Sequence, residues 1–79
     1  MEYRVNYTER MRGLREDRDL RQVDIGKDVL NVHQNTYSNY ETGRLKIPLH
    51  LLIKLAEFYG VDMNYICGVS NEFKPFPKK

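Results

Sequence analysis

The sequence has little of the chemistry on which secreted, membrane-bound or metal-binding proteins depend. It contains one cysteine and no tryptophan in 79 residues, so it cannot form an intramolecular disulfide, and we expect a reducing, cytoplasmic setting. No apolar run approaches the roughly 18 residues that a membrane-spanning helix requires, and the N-terminal MEYRVNYTERMR lacks the apolar core of a signal peptide. Two histidines and one cysteine without ligand spacing predict neither a metal site nor a cofactor.

The sequence also lacks the usual signals of catalysis. It shows no Ser/His/Asp or Cys/His arrangement and no glycine-rich phosphate loop. A chain of 79 residues makes one small domain with a modest core, and it has little room for an enzyme cleft roofed by loops. We therefore expect a binding domain rather than an enzyme.

The charge of the chain is nearly balanced, and its distribution is more informative than its sum. The formal net charge is +2, which alone says little about nucleic-acid binding. Residues 44–79, however, carry six lysines and arginines against three acidic residues. A local basic patch attracts phosphates even when the total charge is close to zero.

Apolar residues recur at helical spacing in five short segments, and no alternating run predicts a strand. The five predicted helices cover residues 7–18, 22–30, 33–42, 49–59 and 63–67. Thr8 is the expected N-cap of the first helix, and Leu51, Leu55 and Phe58 belong to a wide apolar stripe on the fourth. Helices this short are not stable alone, so the sequence predicts an all-α fold with one shared core.

Residues 22–43 carry the most informative pattern, which is two short helices joined by a tight turn. Asn31 tolerates the left-handed conformation that such a turn needs, and Gly26 leaves room for the next helix to approach closely. The second of these helices would present an outward row of amides and hydroxyls: Gln34, Asn35, Ser38 and Asn39. An amide can donate and accept one hydrogen bond each, which suits the edge of adenine in a DNA major groove. We favour base reading over the alternative, a polar face made only for solvent.

Three segments resemble, in order, the Xre/Cro–cI type of phage-repressor-like helix-turn-helix regulators: LREDRDLRQVDIG, NVHQNTYSNYETG and IPLHLLIKLAEFYGVDMNYICG. The resemblance covers about residues 8–69. It implies a compact five-helix DNA-binding domain over residues 1–69, in which helices 2 and 3 form the helix-turn-helix. It also implies a sequence-specific transcriptional regulator, by family resemblance a repressor, that binds an inverted repeat of double-stranded DNA as a homodimer.

The resemblance assigns a role to each polar residue of the predicted DNA face. The positions that match DNA contacts in the family are Gln22, Gln34, Asn35, Thr36, Ser38, Asn39, Arg44 and Lys46. The amides of the third helix match positions that touch base edges, its hydroxyls match contacts to phosphates or base methyl groups, and the two cations match a loop that lies against the DNA backbone. Gln22 matches a glutamine that contacts a phosphate and braces the first reading side chain. His33 starts the third helix and either touches a phosphate or is an exposed cap.

Four of the remaining helix residues have expected structural roles. Arg15 and Glu41 match an internal ion pair between the first and third helices, and we favour this role over DNA binding. Tyr37 and Tyr40 lie three residues apart on the inward face of the third helix. We therefore place both tyrosines in the core rather than against bases.

The sequence departs from the family pattern at two places. The spacing from Gln22 to Glu41 is one residue longer than usual, with the extra residue near positions 28–30. The second helix is therefore expected to run longer or to contain a local bulge, which would displace Gln22 from its phosphate. Arg21 occupies a position where the family often has a serine or threonine cap, and an arginine cannot accept the hydrogen bond that a cap provides.

Residues 70–79 form a C-terminal tail with two aromatic residues outside the helical pattern. Phe73 and Phe76 need a surface to pack on, so the tail either folds back over the domain, which we favour, or packs across a dimer interface. The residues predicted at that interface are Tyr65, Ile66, Val69, Phe73 and Phe76.

Two other classes of function remain open at this point. The chain could be an antitoxin-like DNA-binding protein that also binds a protein partner, for example through its aromatic tail. It could instead be a helical interaction module that does not bind DNA. Salt separates these alternatives, because contacts to phosphates make affinity fall steeply as the salt concentration rises.

Overall fold

Five helices form the fold in a computed structural model that describes residues 6–77. They are α1 (Tyr7–Asp17), α2 (Asp24–Val29), α3 (Gln34–Thr42), α4 (Leu49–Tyr59) and α5 (Met63–Ile66). Within residues 6–77 no segment is a β-strand, as the sequence predicts. The ends of the predicted domain and tail, residues 1–5 and 78–79, lie outside the described residues. No helix in the described part of the chain is both long and apolar enough to cross a membrane.

The first helix begins two residues earlier than an N-cap at Thr8 would allow. Its N-cap is Asn6, whose side chain makes no capping hydrogen bond, and Thr8 lies inside the helix. The prediction for Thr8 is wrong, because the apolar spacing of Met11 and Leu14 extends back by a turn to the half-buried Tyr7. Met11 is fully buried and Leu14 is 4% exposed, so α1 is anchored through these two side chains.

The extra residue of the second helix is absorbed by a change of helix type. Asp24–Val29 is a π-helix, and its wider winding continues to the Leu30 N–H, which donates to the Ile25 carbonyl five residues earlier at 3.0 Å. Such a bulge accommodates one additional residue without moving the ends of the helix out of line. Asp24 forms one half of a capping box, because its carboxylate accepts the Arg21 backbone N–H at 2.8 Å. The other half, in which the capping side chain accepts an N–H of the first turn, is not open to an arginine.

The core lies where all five helices converge. Its buried side chains are Met11, Leu14, Ile25, Leu30, Tyr37, Tyr40, Leu51, Leu52, Leu55, Ala56, Tyr59, Val61 and Ile66. The helix α4 contributes five of them along one stripe. Phe58 is not among them, since it is 47% exposed. At about 100° per residue Phe58 falls at the edge of the apolar stripe predicted for this helix, and this position leaves its ring partly in solvent.

The described part of the tail folds back against α1 and α5. The Asp62 N–H donates to the Lys74 carbonyl at 2.8 Å, and Arg10 donates to the Asn71 side chain at 3.0 Å. The Phe73 ring meets Tyr65 edge-on with centroids 5.4 Å apart, and Phe76 packs against the core. Of the two arrangements considered for the tail, folding back is the one present within this single chain.

Candidate nucleic-acid interface

The turn between α2 and α3 fixes the relative position of the two helices. Asn31 adopts a left-handed conformation with φ of 56°, and the following Val32 N–H donates to the Gly26 carbonyl at 2.8 Å. A Cβ atom added to Gly26 would lie 3.0 Å from the Cβ of Tyr37. The two helices therefore touch at a point that only glycine accommodates without displacement, as the sequence predicts for Gly26.

Helix α3 is capped at both ends by residues within the motif. His33 has extended backbone, and its Nδ1 accepts the Asn35 N–H at 3.1 Å. Of its two predicted roles, the exposed cap is therefore the one that the structure contains. At the other end Gly43 has φ of 82°, and its N–H donates to the Tyr40 carbonyl at 3.3 Å. The left-handed conformation explains why a glycine ends the helix.

The outward face of α3 holds the polar side chains that the sequence assigns to base reading. Gln34 and Asn35 are exposed and Asn39 is half-exposed, whereas Tyr37 on the opposite face is fully buried. Among residues 6–77, no hydrogen bond engages the side chains of Gln34, Asn35 or Asn39. These amides are therefore available to an external donor and acceptor.

The hydroxyl and cationic residues extend this surface at its flanks. Thr36 and Ser38 are half-exposed on α3, and Arg44 and Lys46 are exposed in the loop that follows it. The Leu45 N–H donates to the Asn39 carbonyl at 3.1 Å, which holds this loop against the end of the helix. The result is an uncharged, polar outward face with two cations beside its C-terminal end.

A buried ion pair supports α3 from behind. Arg15 donates to Glu41 through two nitrogens, Nη2 to Oε1 at 2.7 Å and Nε to Oε2 at 3.0 Å. The two side chains are 13% and 3% exposed. The third arginine nitrogen, Nη1, donates to the Leu20 carbonyl at 2.8 Å. This bidentate geometry ties α1 to α3 and satisfies the guanidinium.

Gln22 lies on this buried network rather than free at the surface. Its Nε2 points at the Glu41 Oε1 at 3.4 Å, and the residue is half-buried. One amide N–H is therefore directed inward, and the carbonyl oxygen cannot donate to a phosphate. The second N–H of the Gln22 amide is therefore the only group of this side chain that can make the predicted hydrogen bond to a phosphate.

One cation beside this network was not predicted from the sequence as a DNA contact. Arg12 lines the same recess as Gln22 and Thr42, and its side chain is 65% exposed, with a loose ion pair to Glu16 at 3.6 Å. The signal that could have found it is its spacing, because it lies three residues before Arg15 on α1 and so on the same helical face.

The surroundings of the Glu41 carboxylate act on its pKa in opposite directions. Burial is the largest single influence and acts to raise the pKa of Glu41, but the hydrogen bonds and positive charge of Arg15, together with hydrogen bonding by neighbouring side chains, outweigh it, and the pKa lies below its ordinary value. The hydrogen bond to Glu41 in turn raises the pKa of Arg15. Burial raises the pKa of Tyr59 to about 12 and raises that of Tyr37 further, so both hydroxyls stay neutral.

The depressed pKa of Glu41 predicts acid sensitivity. Because its pKa is lower in the folded than in the unfolded state, the stabilisation is fully present above the ordinary value of 4.5 and is lost as the pH falls through the folded pKa. We expect the difference in unfolding free energy between the native chain and Glu41→Gln to be largest near neutral pH and to shrink below about pH 4.5. Urea titrations across this range measure it, and a difference that stayed constant with pH would contradict the assignment.

The surface predicted for dimerisation is only partly available. Ile66 is fully buried in the core, so its predicted interface role is wrong; in the single turn of α5 it occupies the inward position. Tyr65 and Phe76 are half-buried. Val69 is 49% exposed and Phe73 is 59% exposed, and these two form the accessible apolar part of that surface.

Comparison with known proteins supports the same assignment. Residues 11–66 match the helix-turn-helix family. The chain is 40% identical over 57 residues to the cryptic phage CTXphi transcriptional repressor RstR of Vibrio cholerae, across 72% of this chain and 50% of that protein. It is 32% identical over 72 residues to the uncharacterized HTH-type transcriptional regulator YobD of Bacillus subtilis (strain 168), across 91% of this chain and 62% of that protein.

The matches have a limited extent. The chain spans from half to less than two thirds of the length of these relatives. No solved structure shows a significant match. The match to the family nevertheless runs from α1 through α5 and contains the whole helix-turn-helix. The chain belongs to the helix-turn-helix family, in its phage-repressor-like Xre/Cro–cI type.

Proposed function

We propose that this chain binds double-stranded DNA sequence-specifically and represses transcription by occupying an operator. The observation that carries the proposal is the outward amide row of α3, whose side chains have no hydrogen-bond partner among residues 6–77 while the opposite face is buried. Uncharged amides held on a fixed helix suit base edges better than they suit solvation alone. The repressor named among the relatives supports the direction of regulation.

In the proposed complex, α3 enters the major groove. Gln34, Asn35 and Asn39 face base edges, and an Asn or Gln amide suits the N6 and N7 of adenine. The residues that surround these amides make the phosphate and base-methyl contacts: Gln22, His33, Thr36, Ser38, Arg44 and Lys46. These contacts set the position of the helix, and the amides set the sequence preference.

We further propose that two copies bind an inverted repeat in the cytoplasm. One chain of this size covers about half a site, and half-sites one DNA turn apart lie about 34 Å from each other. The accessible apolar residues Val69 and Phe73, with the half-buried Tyr65 and Phe76, provide the proposed dimer interface. No catalytic step or cofactor enters this mechanism.

Selection of bound sequences from a random duplex pool tests the proposal. Enrichment of one inverted repeat, with affinity that falls steeply as salt rises, is expected for a dimer that contacts phosphates. If no sequence is enriched, the proposal of sequence-specific DNA binding is refuted. Weak, salt-insensitive binding together with a stoichiometric partner protein from cells would favour a protein-interaction module.

Asn39→Ala tests the reading face directly. We expect its preference for the selected operator over a single-base variant to fall by about 1–3 kcal/mol, because one bidentate contact is lost. Competition binding at constant salt measures the preference, and the melting temperature is expected to stay unchanged. Asn64→Ala, at an exposed asparagine on α5, is the matched control. An Asn39→Ala variant that kept its full preference would remove Asn39 from the reading face.

A further inference from the structure

An apolar groove lies between α2 and α4, and none of the proposed DNA contacts lines it. Its volume is about 500 Å³. Leu20, Ile25, Val29 and Phe58 form its apolar lining. Phe58 is 47% exposed there, although its ring is braced edge-on by Tyr59 at a centroid distance of 5.1 Å. A recess of this volume can hold several side chains of a partner.

The rim of the groove carries three carboxylates against one ammonium group. Its charged residues are Asp24, Asp28, Glu57 and Lys54. Asp24 is paired with Arg21 at 3.0 Å, whereas in the described part of the chain neither Asp28 nor Glu57 forms an ion pair. The groove therefore suits an apolar segment that carries positive charge.

The tail of this chain has that chemistry. Phe73 is 59% exposed, and the side chain of the adjacent Lys74 is 60% exposed, with only a long contact to Glu72 at 3.9 Å. The sequence FKPFPKK continues with two prolines and two further lysines. Proline-containing segments keep an extended shape, and such segments dock into grooves lined by aromatic residues.

The tail is held away from the groove of its own chain. Lys74 accepts the Asp62 N–H through its carbonyl, and Phe73 rests on Tyr65. Neither Asp62 nor Tyr65 lines the groove. These contacts leave the Phe73 face and the Lys74 ammonium available to another molecule.

We propose that Phe73 and Lys74 of one copy dock into the groove of a second copy. Phe73 packs on Phe58, and Lys74 faces the carboxylates of Asp28 and Glu57. In a two-fold dimer this contact occurs twice, because each copy supplies one tail and one groove. The inference rests on the homodimer proposed above. It adds the surface of the second copy on which Phe73 packs.

Sedimentation equilibrium without DNA tests the docking, with Phe58→Ser and Phe73→Ser compared with the native chain. Each variant is expected to weaken dimerisation about tenfold or more, because a buried aromatic anchor is lost. Leu49→Ser is the matched control: Leu49 is 67% exposed on the same helix as Phe58 but does not line the groove. Melting curves establish that each variant is folded.

Two mixtures make the result specific to a tail-to-groove contact. Phe58→Ser mixed with Phe73→Ser restores one intact contact per dimer, so the mixture is expected to dimerise more strongly than either variant alone. Glu57→Lys and Lys74→Glu are expected to weaken dimerisation singly and to recover it when mixed. These variants change surface charges only, so they test the contact if Phe58→Ser fails to fold.

A chain that is monomeric at every concentration would overturn the inference. So would a dimer that is insensitive to Phe58→Ser and Glu57→Lys, because its tails would then meet each other rather than the groove. The readout separates this inference from DNA reading. A groove variant that dimerises normally while the native chain selects an operator refutes the docking alone.

Discussion

Glu41→Gln is expected to lower the free energy of unfolding by about 3–5 kcal/mol at neutral pH. The substitution keeps the shape of the side chain but removes the charge that faces Arg15. The arginine side chain is only 13% exposed, so its charge would be left without a counterion in a poorly solvated place. Urea denaturation at neutral pH measures the change.

Two comparisons separate loss of a buried charge partner from a general effect of the substitution. Glu16→Gln removes the same charge from a pair in which both side chains are more than half exposed, and we expect a loss of about 0–1 kcal/mol. The double variant Arg15→Met/Glu41→Leu removes both charges and is expected to recover much of the loss. Equal effects of Glu41→Gln and Glu16→Gln would show that the Arg15–Glu41 pair is solvated.

Gly26→Val is expected to destabilise the domain by about 1–3 kcal/mol and to weaken operator binding. The new Cβ would lie 3.0 Å from the Cβ of Tyr37. That atom is attached directly to the α3 backbone, so the clash cannot be relieved by rotating a side chain. Relief requires α3 to move, which displaces the reading amides from α2. Denaturation and operator titration measure the two effects.

Gly13→Ala is the matched control for this prediction. A Cβ at Gly13 meets nothing within 4 Å, and α1 continues through this position. Alanine is therefore expected to stabilise the domain by about 0.5–1 kcal/mol through its higher helix propensity. A Gly26→Val variant as stable as the native chain would mean that the two helices do not depend on close contact at this point.

The sequence predicted those features of the motif that depend on a single residue type. Asn31 and Gly43 occupy positions with φ of 56° and 82°, and few other residues adopt such angles without strain. The helical spacing likewise predicted that Tyr37 is buried while Gln34 and Asn35 face outward. What these amides bind stays a prediction until an operator is identified.

Features that depend on contacts between distant segments were not predictable in the same way. The spacing from Gln22 to Glu41 predicted one additional residue near the second helix relative to the family pattern. It did not predict that this residue is accommodated by a π-helix. The inward turn of Gln22 depends on the approach of Glu41, 19 residues away. Ile66 lies in a helix of four residues, which is too short for periodicity to distinguish its inner from its outer face.

The position of the π-helix has a consequence for how the reading surface can be exchanged. The wider winding of α2 ends at Leu30, whose N–H makes its last five-residue hydrogen bond. The following segment begins with Asn31 and ends with Gly43, the two left-handed residues that the turn and the cap require. Because these two residues fix both ends of the segment, we expect the outward side chains of residues 34–39 to be exchangeable without any change in α2.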